Sequence, residues 1–398
     1  MKAGWRLVKL GELCKTGAGG TPLKSKKEFY EGGSIPWLLS GEVAQGEILK
    51  ATSFITQKGL ENSSAKLFPP NTVLVAMYGA TAGQVGVLRI EASTNQAVCG
   101  ILPNEHFLPE FLFYYLLSRK DELIAQAAGN AQPNISQQKI RDTLVPVVPL
   151  PEQQRIVAIL DEAFEAIAAA RANAEQNRQN ARALFESYLQ SVFSQRGEGW
   201  VDSGKVLSSM CELIVDCEHK TAPTQDEGFP SIRTPNIGKG KLLLDDVKRV
   251  SEETYRAWTR RAVPLPGDLI FAREAPAGNV AVVPDGLQPC LGQRTVLIRP
   301  KKEAFDSLFL TYLLLSPSMQ EHLLSHSKGS TVQHINMKDI RALRLGGIPA
   351  IKEQRELARQ ITDCSMNCER LESLYQRKIE ALDELKQSLL QQAFSGNL

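Results

Sequence analysis

The chain has 398 residues, 43% hydrophobic and 23% charged, with a formal net charge of +2. That balance supports two or three domains with real cores and excludes a polybasic tail or a global positive field, so a nucleic-acid surface has to be a local patch. No apolar run approaches the roughly 18 residues of a membrane span, no signal-peptide core follows Met1, and the seven cysteines form no CxxC pair. The expectation is a cytoplasmic chain with reduced thiols and no membrane contact.

In chain order, Trp5 to Leu13 reads as a short strand and turn, and Gly17 to Pro22 as a loop followed by Lys24, Ser25, Lys26 and Lys27. Strands are expected at Ile35 to Ser40, Val73 to Met77 and Val87 to Ile90. A glycine-punctuated turn lies at Tyr78 to Gly86, and a short apolar helix at Phe111 to Leu117. From Pro149 to Ser194 there is no Gly and no Pro beyond Pro151, and Ala, Glu, Gln, Arg and Leu dominate. Steps of three and four pick out an apolar seam that includes Ile156, Leu160, Ile167, Ala174 and Leu184. Such a helix is about 60 Å long and calls for a partner helix. The stretch Ile351 to Ser395 supplies one, with a seam through Leu357, Ile361, Leu371, Tyr375, Leu382 and Leu385. Cys364 and Cys368 lie on one face of it and read as seam residues rather than metal ligands, since nothing is spaced to complete a tetrahedron.

The two halves repeat. Phe229 to Asn236 stands about 194 residues after the strand at Pro36, Pro266 to Val282 matches Pro70 to Val87, and Gly292 to Pro300 matches Asn95 to Pro103. Ser330 to Ile340 echoes Asn130 to Ile140, and Lys352-Glu353-Gln354-Arg355 answers Glu152-Gln153-Gln154-Arg155. The expected fold class is α+β: two mixed α/β globules (1–148 and 197–348) separated by two long antiparallel coiled-coil helices (149–196 and 349–398), with a pseudo-two-fold internal repeat.

Motifs for chemistry are missing. There is no phosphate-binding GxxxxGK[ST], no GxGxxG after a strand, no GxSxG elbow and no HExxH. What remains are loops dense in residues that hydrogen-bond base edges and phosphates. In the first half these are Lys24, Ser25, Lys26, Lys27, Ser40, Tyr78, Thr81, Gln84, Asn130, Gln132, Asn134 and Gln137. In the second half they are His219, Lys220, Thr221, Arg233, Thr234, Asn236, Arg273, Asn279, Gln293, Arg294, Gln333 and His334. For Arg273 a salt bridge and a DNA contact are both open. The sequence favours a binding protein over an enzyme with a divergent site.

These residues resemble the DNA-specificity subunits of type I restriction–modification enzymes. The likeness rests on Gly19-Gly20-Thr21-Pro22 with Gly33-Ser34-Ile35-Pro36-Trp37, on Asp216-Cys217-Glu218-His219-Lys220-Thr221, and on Arg233-Thr234-Pro235-Asn236-Ile237. Arg273-Glu274, Cys290-Leu291-Gly292-Gln293-Arg294 and the helix entry Pro149-Leu150-Pro151-Glu152-Gln153-Gln154-Arg155 complete it. The resemblance implies two target recognition domains on double-stranded DNA, each reading one half of a bipartite, asymmetric site, and helices that set the unread spacer. It further implies docking of two methyltransferase subunits and two motor-nuclease subunits. The chain itself would bind no cofactor or metal. S-adenosylmethionine for adenine methylation, and ATP with Mg²⁺ for restriction, would belong to the partners. An alternative is a scaffold or specificity protein of a methylation-only or other phage-defence assembly that lacks the nuclease.

Overall fold

The computed structural model describes residues 5–125, 134–195, 199–202, 204–325 and 333–398. Its helices include α1 (Pro109–Ser118), α2 (Leu150–Ser194), α3 (Ser307–Leu315) and α4 (Ile351–Ser395), with α2 and α4 each 45 residues long. Two compact units result. One comprises Met1–Ala174 and Arg377–Leu398, the other Glu175–Gln376, so each unit takes in part of both long helices.

Unit 1 holds a five-stranded sheet in the order Thr16–Ala18, Val98–Ile101, Val73–Ala76, Val85–Leu88, Glu47–Ile48, antiparallel except for the last pair. A second sheet orders Phe54–Ile55, Ile35–Leu38, Ala92–Thr94 and Leu67–Phe68. Unit 2 repeats the plan with Cys211–Asp216, Thr295–Pro300, Leu269–Ala272 and Val280–Val282, and with Arg249–Val250, Phe229–Ile232 and Cys290–Leu291. Within the stretch expected as a strand, Val73–Ala76 is buried throughout, as is its unit 2 counterpart Leu269–Ala272, whereas Ile35–Leu38 is buried only at Trp37 and Leu38.

Each core is closed by the long helices. In unit 1, Ile156 and Leu160 of α2 and Leu390, Ala393 and Phe394 of α4 pack with α1. Phe394 meets Phe111 and Tyr115 edge-on at 5.4 and 5.1 Å between centroids. In unit 2, Leu189 and Phe193 of α2 and Ala358 and Ile361 of α4 do the same beside α3, with Phe193 edge-on to Phe309 at 5.5 Å. Such ring pairs contribute about 0.5–1.5 kcal/mol each beyond the area they bury. The helices run antiparallel in both units. Arg171 pairs with Asp383 at 3.1 Å in unit 1, while in unit 2 Arg178 donates to Gln376 at 2.6 Å and Arg182 pairs with Glu372.

A buried glutamine fixes each helix entry. The Gln153 carboxamide accepts from Leu108 N–H at 2.9 Å and donates to the carbonyls of His106 and Val148 at 2.8 Å each. Gln354 accepts from Asp306 N–H at 2.9 Å and donates to Ala304 and Pro349 at 2.9 and 3.0 Å. Buried backbone groups need such partners, and each glutamine satisfies three at once. This corrects the repeat read from sequence, which set Gln154 against Gln354. The true partner is Gln153. Unit 2 carries one extra residue ahead of its helix, and Gly346 takes up that position with φ +71°, a left-handed turn open to glycine.

Two further corrections concern the seam. Ile156, Leu160, Ile167 and Ala174 are buried, but Leu184 is 55% exposed, with Phe185 and Leu189 turned inward instead. In α4, Leu371 and Leu385 are 38% and 46% exposed, whereas Ile361, Cys368, Ile379 and Leu390 are buried and Leu357, Tyr375 and Leu382 half-buried. The inward positions pass from a spacing of seven to spacings of eleven. A heptad count keeps stepping by 3.5 residues per turn and loses phase with an α-helix of 3.6.

Candidate nucleic-acid interface

In unit 1 the loop from Gly19 to Lys27 is fixed by close backbone approach. A Cβ on Gly20 would lie 2.3 Å from Ala65 N, and one on Gly19 would lie 2.1 Å from Thr94 Oγ1, so neither position accepts a side chain. Trp37 Nε1 donates to the Gly20 carbonyl at 3.0 Å, and Tyr30 donates its hydroxyl to the Pro22 carbonyl. These contacts explain why the glycine pair and the Ile35-Pro36-Trp37 strand occur together. They present Lys24, Ser25, Lys26 and Lys27 to solvent, with Lys26 over the Phe29 ring at 5.1 Å and Lys27 near Glu31 at 3.9 Å. Tyr78 is exposed and forms a backbone bridge with the exposed Asn134. Thr81 and Gln84 are half-buried in the turn between Val73–Ala76 and Val85–Leu88, and Ser40 opens a 3₁₀ turn, Ser40–Gln45. Gln137 donates to Thr16 Oγ1 at 2.8 Å. Asn130 and Gln132 lie outside the described residues.

Unit 2 builds the same frame with charged parts. Met77 N–H donates to Ala97 O at 2.7 Å and Ile135 N–H to Met77 O at 2.8 Å; the matching bonds run from Arg273 to Arg294 at 2.9 Å and from Ile335 to Arg273 at 3.0 Å. Glu274 and His334 form the bridge that Tyr78 and Asn134 form in unit 1. Where unit 1 has Met77, Tyr78, Ala97 and Asn134, unit 2 therefore has Arg273, Glu274, Arg294 and His334.

Those four residues and Asp216 form one chain of polar contacts. Arg273 donates to Asp216 Oδ2 at 2.7 Å and to the Ile335 carbonyl at 2.9 Å, and its Nη2 meets His334 Nε2 at 2.9 Å. His334 Nδ1 lies 2.7 Å from Glu274, which also pairs with Arg294. A guanidinium only donates, so His334 Nε2 accepts and Nδ1–H donates to Glu274, which specifies the neutral tautomer. Partial burial and the neighbouring Arg273 and Arg294 hold the His334 pKa below its ordinary value, in keeping with that tautomer.

Two of the residues expected on the DNA surface, Arg273 and Asn236, are buried. Arg273 is only 8% exposed, and its guanidinium engages Asp216, the Ile335 carbonyl and His334 within the unit. Asn236 is buried and caps its turn, accepting from Arg233 N–H at 3.2 Å, the bond that Glu42 makes to Leu39 N–H at 2.8 Å in unit 1. Asn279 likewise donates to the Ile237 carbonyl at 2.8 Å.

His219, Lys220, Thr221, Arg233, Arg294 and Gln333 are exposed, with Thr234, Gln293 and His334 half-buried. Several converge. Arg294 N–H lies 3.1 Å from Cys217 Sγ, and a Cβ on Gly292 would sit 2.4 Å from Arg233 Cγ. Arg260 and Arg261, which sequence reading passed over, complete this patch. Arg261 donates to the carbonyls of Asp216 and Cys217 at 3.3 and 3.2 Å, and both arginines face Glu218 at 3.7 and 3.5 Å. Their adjacency in sequence was the available signal. Among the described residues no group of three or more His, Cys, Asp and Glu is arranged to hold a metal ion, and no helix is long and apolar enough to cross a membrane.

Two units on one frame, each with an exposed polar loop surface, define a tandem recognition protein. Its family follows from comparison with known proteins. The family model described as type I restriction modification DNA specificity domain matches residues 2–176 and again 218–381, and the chain belongs to that family. Similar proteins include a type I restriction enzyme specificity subunit of Escherichia coli, 32% identical over 158 residues, which covers 38% of this chain and 39% of that relative. The MjaIX specificity subunit of Methanocaldococcus jannaschii is 25% identical over an alignment covering 99% of this chain and 93% of the relative. Among solved structures, a chain from work on complex assembly and conformational transition of the type I R-M system aligns at a TM-score of 0.79 and 22% identity, covering 100% of this chain and 99% of that one. The HsdS subunit of Thermoanaerobacter tengcongensis aligns at a TM-score of 0.62 and 20% identity, covering 100% and 98%. Both share this fold.

Proposed function

We propose that this chain is the DNA-reading subunit of a type I restriction–modification assembly, with each unit recognising one half of a bipartite, asymmetric site. The observation that carries the reading is a common hydrogen-bond frame presenting different side chains: Met77, Tyr78, Ala97 and Asn134 in unit 1 against Arg273, Glu274, Arg294 and His334 in unit 2. A shared frame suits two equivalent docking positions for identical partners, and divergent loops suit two different half-sites. The long helices set the unread spacer and dock two methyltransferase subunits. Motor-nuclease subunits join for restriction. The chain supplies specificity and no chemistry; S-adenosylmethionine, ATP and Mg²⁺ are handled by the partners, and the assembly works in the cytoplasm.

The test is adenine methylation mapped across a genome in cells carrying the chain and its cognate methyltransferase subunit. A bipartite motif that vanishes when the chain is deleted is the expected result. Methylation indifferent to the chain contradicts the reading.

A further inference from the structure

Resting on that reading, we infer that Arg294 is the base-reading residue of unit 2 and that its half-site contains a guanine which Arg294 contacts. The surroundings of this side chain set it apart from Lys220 on the same surface. Its backbone is held on both sides, N–H toward Cys217 Sγ at 3.1 Å and carbonyl accepting from Arg273 N–H at 2.9 Å. It adopts φ +64°, a left-handed conformation that a non-glycine residue takes only when its surroundings impose it.

The guanidinium is buttressed as well. Its side chain remains 60% exposed while Nη1 pairs with Glu274, whose own carboxylate is only 13% exposed and is oriented by His334. His334 is in turn held by Arg273, and Arg273 by Asp216. The guanidinium thus sits beside an anchored carboxylate while most of the side chain stays open to solvent. Arg is the side chain that pairs bidentately with guanine O6 and N7, and a fork ordered before binding loses less entropy on contact. By contrast, Lys220 forms no comparable chain of contacts among the described residues. Unit 1 carries Ala97 at the Arg294 position, so this mode of reading belongs to one half-site only.

The experiment compares methylation motifs produced by the whole assembly carrying the unaltered chain, Arg294→Lys or Glu274→Gln. Lys keeps the charge but cannot form the fork, so discrimination at one guanine in the unit 2 half-site should fall by about tenfold to a hundredfold. The other half-site should be unchanged. Glu274→Gln, which loosens the buttress without touching DNA, should relax the same base by less. Thermal unfolding of each variant confirms that the fold persists. An unchanged motif, relaxation at a base other than guanine, or equal weakening at every sequence (a phosphate contact) overturns the assignment of Arg294 alone. Absence of any bipartite motif with the unaltered chain overturns the proposed function together with this inference.

Discussion

The two units solve the same structural problem with neutral groups in one case and ionic groups in the other. At the start of a central strand, unit 1 buries Thr72, whose hydroxyl donates to the Pro69 carbonyl at 2.7 Å. Unit 2 buries Asp268 at the matching position, held by Arg299 through bonds of 2.8 and 2.7 Å and by Leu265 N–H at 2.8 Å. The same contrast runs through the bridge, Tyr78 and Asn134 against Glu274 and His334. Backbone hydrogen bonds and core packing therefore define the recognition frame, and the side chains hung on it are free to differ. That freedom is what a protein with two distinct targets requires.

The largest effect is expected where both units rely on one device. Gln153→Leu and Gln354→Leu each strand one buried and two partly buried backbone groups, so each should cost about 3 kcal/mol or more in denaturant unfolding. A marked inequality between them would break the equivalence of the two helix entries. Asp268→Ala leaves the Arg299 guanidinium unpaired and is expected to cost about 3–5 kcal/mol. Combining Asp268→Thr with Arg299→Leu, which imports the neutral pair Thr72 and Leu102 of unit 1, should recover most of that loss in the same assay. Ala174→Glu places a charge at a buried seam position and should lower the melting temperature by several degrees, whereas Leu184→Glu, on the exposed side, should shift it little.

The smallest effect is a pH dependence confined to unit 2. Because folding depresses the His334 pKa below its ordinary 6.5, the neutral ring's contribution is complete above that value. It is lost as pH falls below about 6.5 toward the folded-state pKa, where the unfolded chain binds the proton more readily. His334→Asn, the residue unit 1 uses, should flatten the fall in melting temperature below pH 6.5.

Much of this architecture was legible in the sequence because periodicity and punctuation are local. The glycine-free stretches, the apolar strands and the order of the repeated blocks depend on neighbouring residues. The helix entry was misaligned by one position because a single extra residue, Gly346, changes spacing without changing composition. The α4 seam drifted because Leu371 and Leu374 offer hydrophobes on a face that tertiary packing leaves exposed. Arg273 showed the deeper limit. Its chemistry suits DNA and ion pairing equally, and its burial follows from the approach of Asp216 and His334, 57 and 61 residues away in sequence. The same long-range closure brings Arg260 and Arg261 to the Asp216–Glu218 segment.

The most direct test of two independent readers on one frame is a pair of methylation maps. One comes from an assembly with Lys24 and Lys26 changed to alanine, the other from one with His219 and Lys220 changed, residues exposed in unit 1 and unit 2 respectively. Each map is expected to relax or weaken a different half of the motif, leaving the other half and the spacer length intact. Loss of both halves from either set of substitutions, or no change in either map, would contradict the account.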